Sequence, residues 1–279
     1  MKKLTIPDIK ARKREGKKLS MLTAYDYPWA RMIDQAGIDI ALVGDSLAMV
    51  VLGHPNTVSV TMDEMLHHTR AVVRGVEHAL VVGDMPFGSY NCSIPDAMQN
   101  GNRFLKEAGA DAVKLEGGLV MADTIAAMVE GGIPVMGHIG LTPQTATSLG
   151  GFKVQGKSAE AAKKLIDDAL ALEDAGCFSI VLEAIPSPIA AKITAAVKIP
   201  TIGIGAGRDC DGQVLVTHDM VGLFDGFTPK FVKQYTQVRQ PIVDALQEYK
   251  NEVEAGTFPE DQHSFTMRPE EMEKLGRLE

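Results

Sequence analysis

Apolar residues fall along this chain in short runs, each closed by a turn residue or an acid. Eight such runs read as strands: 19–23 (LSMLT), 39–45 (DIALVGD), 79–84 (ALVVGD), 112–116 (AVKLE), 134–138 (PVMGH), 178–183 (FSIVLE), 200–204 (PTIGI) and 213–217 (QVLVT). Helix-like stretches separate most of them, at 27–37, 62–77, 95–109, 121–131, 158–175 and 187–197. Gly37, Gly109, Gly132 and Gly176 close helix-like stretches just before the next strand, a common stop device. Strands alternating with helices imply parallel pairing through right-handed crossovers. Eight units of this kind predict an α/β fold, a (β/α)8 TIM barrel; a doubly wound open sheet is the rival. Residues 7–14 predict an extra helix before the first strand, and 229–253 a long amphipathic helix near the end. The remainder, 254–279, is polar, with Pro259 and Pro269, and reads as a disordered tail or an arm on a neighbouring subunit.

The chain has 279 residues, 45% of them hydrophobic, enough for one large core, and no linker divides it. We therefore expect a single barrel domain over 1–279 with a polar tail at 254–279. A net charge of −8 argues against a general nucleic-acid binder. The early basic residues, Lys2 to Lys18, read as a solvated helix and turn. Polar residues or glycines interrupt every apolar run well short of a membrane span, and the first residues lack a signal-peptide core. Cys92, Cys177 and Cys210 fit neither a disulfide framework nor a zinc pattern. A cytoplasmic, reduced protein is the expectation.

Acids recur at the downstream ends of the apolar runs: Asp45, Asp84, Glu116 and Glu183. In a barrel these ends share one face, where active sites lie. Four carboxylates on one rim repel unless a cation sits among them or some are protonated. Each alone could merely cap a turn. Together they point to a divalent cation with oxygen ligands; Mg2+, which keeps several waters, suits Asp45 and Asp84 as direct ligands and Glu116 through water. Lys114, two residues before Glu116, shares its strand face. It can stabilise charge on a substrate oxygen, form a Schiff base, or simply pair with Glu116. Glu183, across the barrel, is the candidate general base. His138 is a candidate substrate or supporting contact rather than a ligand, since the donor set is oxygen-rich. Ser46 could hold a substrate carboxylate at a turn. His67 and His68 read as surface or packing residues; His54 and His218 fall in loops without a role. The glycines of IGIGAG (Gly203, Gly205, Gly207) read as a close turn rather than a nucleotide loop.

The strings VGDS, GDMPFGSY, AVKLEGG, GHIGLTPQ, and TIGIGAG followed by DGQVLVTHDM resemble the ketopantoate hydroxymethyltransferase family. The likeness runs from about residue 19 to 230. Val58–Ser59 depart from it without touching a site residue, and the tail after Met267 matches nothing in it. The resemblance implies a Mg2+-dependent barrel of the phosphoenolpyruvate/pyruvate type. It would transfer a one-carbon unit from 5,10-methylenetetrahydrofolate to 3-methyl-2-oxobutanoate, giving 2-dehydropantoate on the route to pantothenate. The positions of Asp45, Asp84 and Glu116 would hold the metal, those of Asp45, Ser46, Asp84 and Lys114 the oxoacid, and Glu183 would accept the proton. It also implies a homodecamer of two pentameric rings. A Mg2+-dependent lyase or mutase acting on a 2-oxo acid, a Schiff-base aldolase and a catalytically silent binding barrel are the alternatives.

Overall fold

The computed structural model describes residues 2–147 and 151–277. Eight parallel strands close in chain order: β1 (Leu19–Thr23), β2 (Ile40–Val43), β3 (Leu80–Asp84), β4 (Ala112–Lys114), β5 (Val135–Gly140), β6 (Ser179–Glu183), β7 (Thr201–Ile204) and β8 (Gly212–Leu215). β1 pairs with both β2 and β8, which seals the barrel and rules out the open sheet. The helices are α1 (Ile6–Arg14), α2 (Tyr27–Gln35), α3 (Leu47–Val50), α4 (Met62–Gly75), α5 (Ile94–Arg103), α6 (Ala122–Glu130), α7 (Ala159–Asp174), α8 (Ser187–Ala196), α9 (Thr217–Met220), α10 (Arg239–Ala255) and α11 (Pro269–Leu275).

Helix starts follow local chemistry. Asp26, Thr61, Ser93 and Ser158 each accept an N–H from the first turn of the helix they precede, satisfying a donor with no partner inside it. α5 runs on as a π-helical turn, Phe104–Ala108, until Gly109 ends it at φ 79°. That turn seats Phe104 against β3 at Gly83, where a Cβ would lie 2.4 Å from the ring.

Two apolar layers follow from strand alternation. Leu19, Met21, Ile40, Leu42, Leu80, Val82, Ala112, Met136, Val181, Ile202 and Val214 fill the barrel, with Ile9 of α1 closing one end. Ala41, Val43, Val81, Val113, Val135, Ile180 and Leu182 pack outward against the helices. The inward phase continues one step beyond Val82, Ala112, Met136 and Val181, reaching Asp84, Lys114, His138 and Glu183. A water-excluding plug therefore becomes a polar mouth at its downstream end.

Several elements differ from the sequence expectation. β2, β4 and β8 stop at Val43, Lys114 and Leu215, so Asp45 and Glu116 lie just past their strands. Residues 229–238 are not helical. The N–H groups of Tyr235 and Val238 donate to the carbonyls of Met220 and Val221, leaving the helix to start at Arg239. In the tail, the Phe258 ring meets Tyr249 edge-on and lies tilted against His263, and α11 forms at 269–275. β7 and β8 are joined by 205–211 without a helix. Gly205 and Gly207, at φ 63° and 87°, turn the chain there, which is the close turn expected of IGIGAG.

Candidate active site

Register brings the polar ends together. Asp84 pairs with Lys114 across β3 and β4, Lys114 with Met136 of β5, and Glu183 with Gly140 across β5 and β6. Lys114 Nζ lies 2.8 Å from Asp84 Oδ1, with side-chain exposures of 5% and 2%. Asp45 is out of phase with its strand and is delivered by the turn after β2. Its main-chain N–H donates to Asp84 Oδ2 at 3.1 Å, setting the two acids side by side.

His138 bridges the two sides of the mouth. Its Nδ1 lies 3.3 Å from Lys114 Nζ and 3.6 Å from Glu116 Oε1, and its Nε2 lies 3.1 Å from Glu183 Oε2. An ammonium has only donors, so Nδ1 is the acceptor and the ring proton sits on Nε2, towards Glu183. That last contact is close without hydrogen-bond alignment. Burial, and then the Lys114 charge, hold the imidazole well below its usual pKa. Directly after Glu183, Ala184 adopts φ 47°, a conformation uncommon outside glycine, and turns the chain off the rim.

Four carboxylates and one ammonium share this mouth, and their protonation reflects it. Burial, reinforced by Asp84, lifts Asp45 to about 7. Burial raises Glu183 to about 8, against the pull of Lys114. Burial and the Asp45 charge put Glu116 well above the ordinary carboxylate range. For Lys114, burial disfavours the charge, but Asp84, Glu116 and Asp45 outweigh it and raise the pKa. A lysine held this firmly as ammonium is a poor Schiff-base nucleophile.

The structure thus gathers Asp45, Asp84, Lys114, Glu116, His138 and Glu183 at one mouth. Ser46, half-buried at the head of α3, is tied to its wall by a 2.8 Å hydrogen bond between its Oγ and the Tyr25 hydroxyl. Among the described residues, no three His, Cys, Asp or Glu side chains form a ready-made ligand cluster. Gln144 and Tyr90 carry no assignment from sequence, yet both are buried in this mouth. Tyr90 closes GDMPFGSY and Gln144 closes GHIGLTPQ, which was the available signal. His218 is not in a loop: it lies in α9, buried against the rings of Tyr25 and Trp29, with Nδ1 unbonded. His68 Nδ1 bonds the Tyr25 carbonyl at 2.6 Å, a packing role as expected.

A closed parallel barrel with acids and a lysine at the downstream rim defines the class: a (β/α)8 enzyme fold with its site where such barrels carry chemistry. The solved phosphoenolpyruvate phosphomutase from Streptomyces platensis subsp. rosaceus shares this fold at TM-score 0.62 and 15% identity, over 99% of this chain and 98% of that one. The family model for ketopantoate hydroxymethyltransferase matches residues 3–261, and the chain belongs to that family. It is 61% identical to the 3-methyl-2-oxobutanoate hydroxymethyltransferase of Heliobacterium modesticaldum, over 96% of this chain and 98% of the relative. It is 62% identical to the enzyme of that name from Syntrophobacter fumaroxidans, over 99% and 98%.

Proposed function

We propose that the chain transfers a one-carbon unit from 5,10-methylenetetrahydrofolate, with water, to 3-methyl-2-oxobutanoate, giving 2-dehydropantoate for pantothenate synthesis. Family membership supports the reaction. The observation that carries the mechanism is the Glu183–His138–Lys114–Asp84 sequence of contacts, which sets a proton acceptor and an acid-rich pocket on either side of one ammonium.

The donor set fits Mg2+. Asp45 and Asp84 are adjacent hard oxygen donors, and Mg2+ asks for one or two carboxylates, the rest of its shell being water and substrate oxygens. A dication also offsets the excess of carboxylate charge. When bound, it supplies a Lewis acid that draws charge from a 2-oxo group and makes the neighbouring C–H more acidic. Asp45 and Asp84 would hold it, with Glu116 completing its shell.

The chain's own groups do the rest. Glu183 accepts the C3 proton; a carboxylate with a raised pKa is a stronger base once ionised. Lys114 keeps its charge and stabilises the developing oxyanion. His138 contacts Glu183 and Lys114 and stays neutral, which spares the mouth a second cation. Asp45, Ser46, Asp84 and Lys114 hold the oxoacid, with Ser46 at its carboxylate end through the hydroxyl and main-chain N–H of the β2 turn. By family resemblance the working form is a homodecamer in the cytoplasm, each chain a single barrel domain. Among the described residues, no helix is long and apolar enough to cross a membrane.

Deuterium exchange at C3 of 3-methyl-2-oxobutanoate, run with and without Mg2+ and with and without folate, tests this reading. Exchange should need Mg2+ but not folate. Glu183→Gln should bind oxoacid and lose exchange; undiminished exchange in that variant removes Glu183 as the base.

A further inference from the structure

Gln144 sits in the short turn after β5, yet the partners of its side chain and main-chain N–H come from three other strand ends. Its Nε2 donates to Asp45 Oδ2 at 3.0 Å and to the Met85 carbonyl at 2.9 Å. Its Oε1 accepts from the Tyr90 hydroxyl at 2.6 Å. Its main-chain N–H donates to Glu116 Oε2 at 3.1 Å, and the Glu116 main-chain N–H donates to the Tyr90 oxygen at 3.2 Å. Gln144 is 4% exposed and Tyr90 1% exposed, so water does not compete for these bonds.

The amide has only one workable orientation. A main-chain carbonyl accepts and never donates, so the group facing Met85 must be NH2. Both Nε2 hydrogens are then spent, one on Met85 and one on Asp45. The carbonyl end is left for Tyr90, whose hydroxyl proton is free because its oxygen already accepts from Glu116. The order runs Glu116 N–H to Tyr90 O–H to Gln144 C=O, then Gln144 NH2 to Asp45. One oxygen of Asp45 and one of Glu116 are thereby fixed by a single residue. Rotation of either carboxylate away from this arrangement would break a buried hydrogen bond.

We infer that Gln144 is a positioning residue that fixes the Asp45 and Glu116 carboxylates for cation binding, with the Tyr90 hydroxyl locking its amide. This rests on the proposed roles of Asp45, Asp84 and Glu116. Partners that orient metal-holding carboxylates commonly contribute 10–100-fold to metal affinity or activity.

The test is Mn2+ binding to the full chain, followed by electron paramagnetic resonance without substrate, beside the metal-free melting temperature. Gln144→Met should weaken Mn2+ by about tenfold or more while the metal-free protein stays folded. Gln144→Glu keeps the shape but sets an acceptor against Asp45 and Met85, and should also lose affinity. Tyr90→Phe keeps the ring and should weaken Mn2+ by about fivefold, the value of one hydrogen bond. It decides the matter if Gln144→Met does not fold. Asp84→Ala separates the two levels of inference. Wild-type affinity in the Gln144 and Tyr90 variants, with binding lost in Asp84→Ala, overturns the positioning role and leaves the proposed function standing. Wild-type affinity in Asp84→Ala removes the metal reading and this inference with it.

Discussion

At the scale of single residues, Lys114 decides the electrostatics of the mouth. It is a buried ammonium within ion-pair distance of Asp84 and beside His138, and its neighbours Asp45 and Glu116 accept hydrogen bonds from Gln144. Removing one partner of a buried pair strands the other charge, typically at a cost of about 3–5 kcal/mol. Lys114→Gln should therefore lower the melting temperature of the metal-free chain. It should also reduce kcat/KM by about 10²–10³, the usual loss when a donor to a developing oxyanion goes. Steady-state kinetics beside calorimetry checks both; a stability loss with normal kcat/KM would leave Lys114 a structural cation only. Lys114 was legible from sequence because strand alternation carries inward-facing positions past the apolar plug. The same period places Asp84, His138 and Glu183. Gln144 was not legible, since its partners lie 99, 59, 54 and 28 residues away and no local period predicts them.

At the scale of elements, α9 shows what local pattern leaves out. Thr217–Met220 follows β8 where the sequence pattern puts the strand's last residue at 217 and a loop at His218. It is held because Thr217 donates through N–H and hydroxyl to Thr23 of β1, a partner 194 residues away. The same anchoring draws the 229–238 backbone onto α9, against the helical reading of that stretch. Burial raises Asp219 from 3.8 to about 6 in this helix. The folded chain then binds that proton more tightly than the unfolded chain does. Its stabilisation is fully present below about 3.8 and is lost as pH rises through about 6. Asp219→Asn removes the cost of burying the charge. The variant should be about 1–2 kcal/mol more stable than the parent at pH 8, after allowance for partial exposure, and indistinguishable at pH 4. Chemical denaturation at the two pH values measures it; an equal difference at both would assign the change to packing. The strands and the glycine stops before them were legible because an apolar run and a helix-ending glycine are local signals, although the strands' ladder partners, such as Gly212 for Leu19, are far off in sequence.

At the scale of the whole molecule, α10 has too little to hold it in one chain. None of its 17 residues is buried. Ile242, Leu246, Tyr249 and Val253 recur at helical spacing and stand 46%, 63%, 57% and 47% exposed. Thr236, Val238, Pro241, Ala245 and Leu246 line a groove of about 410 Å3 beside it. Helices in proteins owe most of their stability to packing of an apolar face, and a stripe left in water is characteristic of an interaction surface. The proposed homodecamer supplies a partner for that stripe: another copy of this chain. A charge at its centre would have to be buried unpaired on assembly, so Leu246→Glu should oppose association without touching the barrel. Size-exclusion chromatography with light scattering should then show a smaller species. C3 exchange per chain should persist, since no group of the mouth lies on α10. A variant that keeps the parent mass at micromolar concentration would place the subunit contacts elsewhere and leave α10 exposed in the assembled protein.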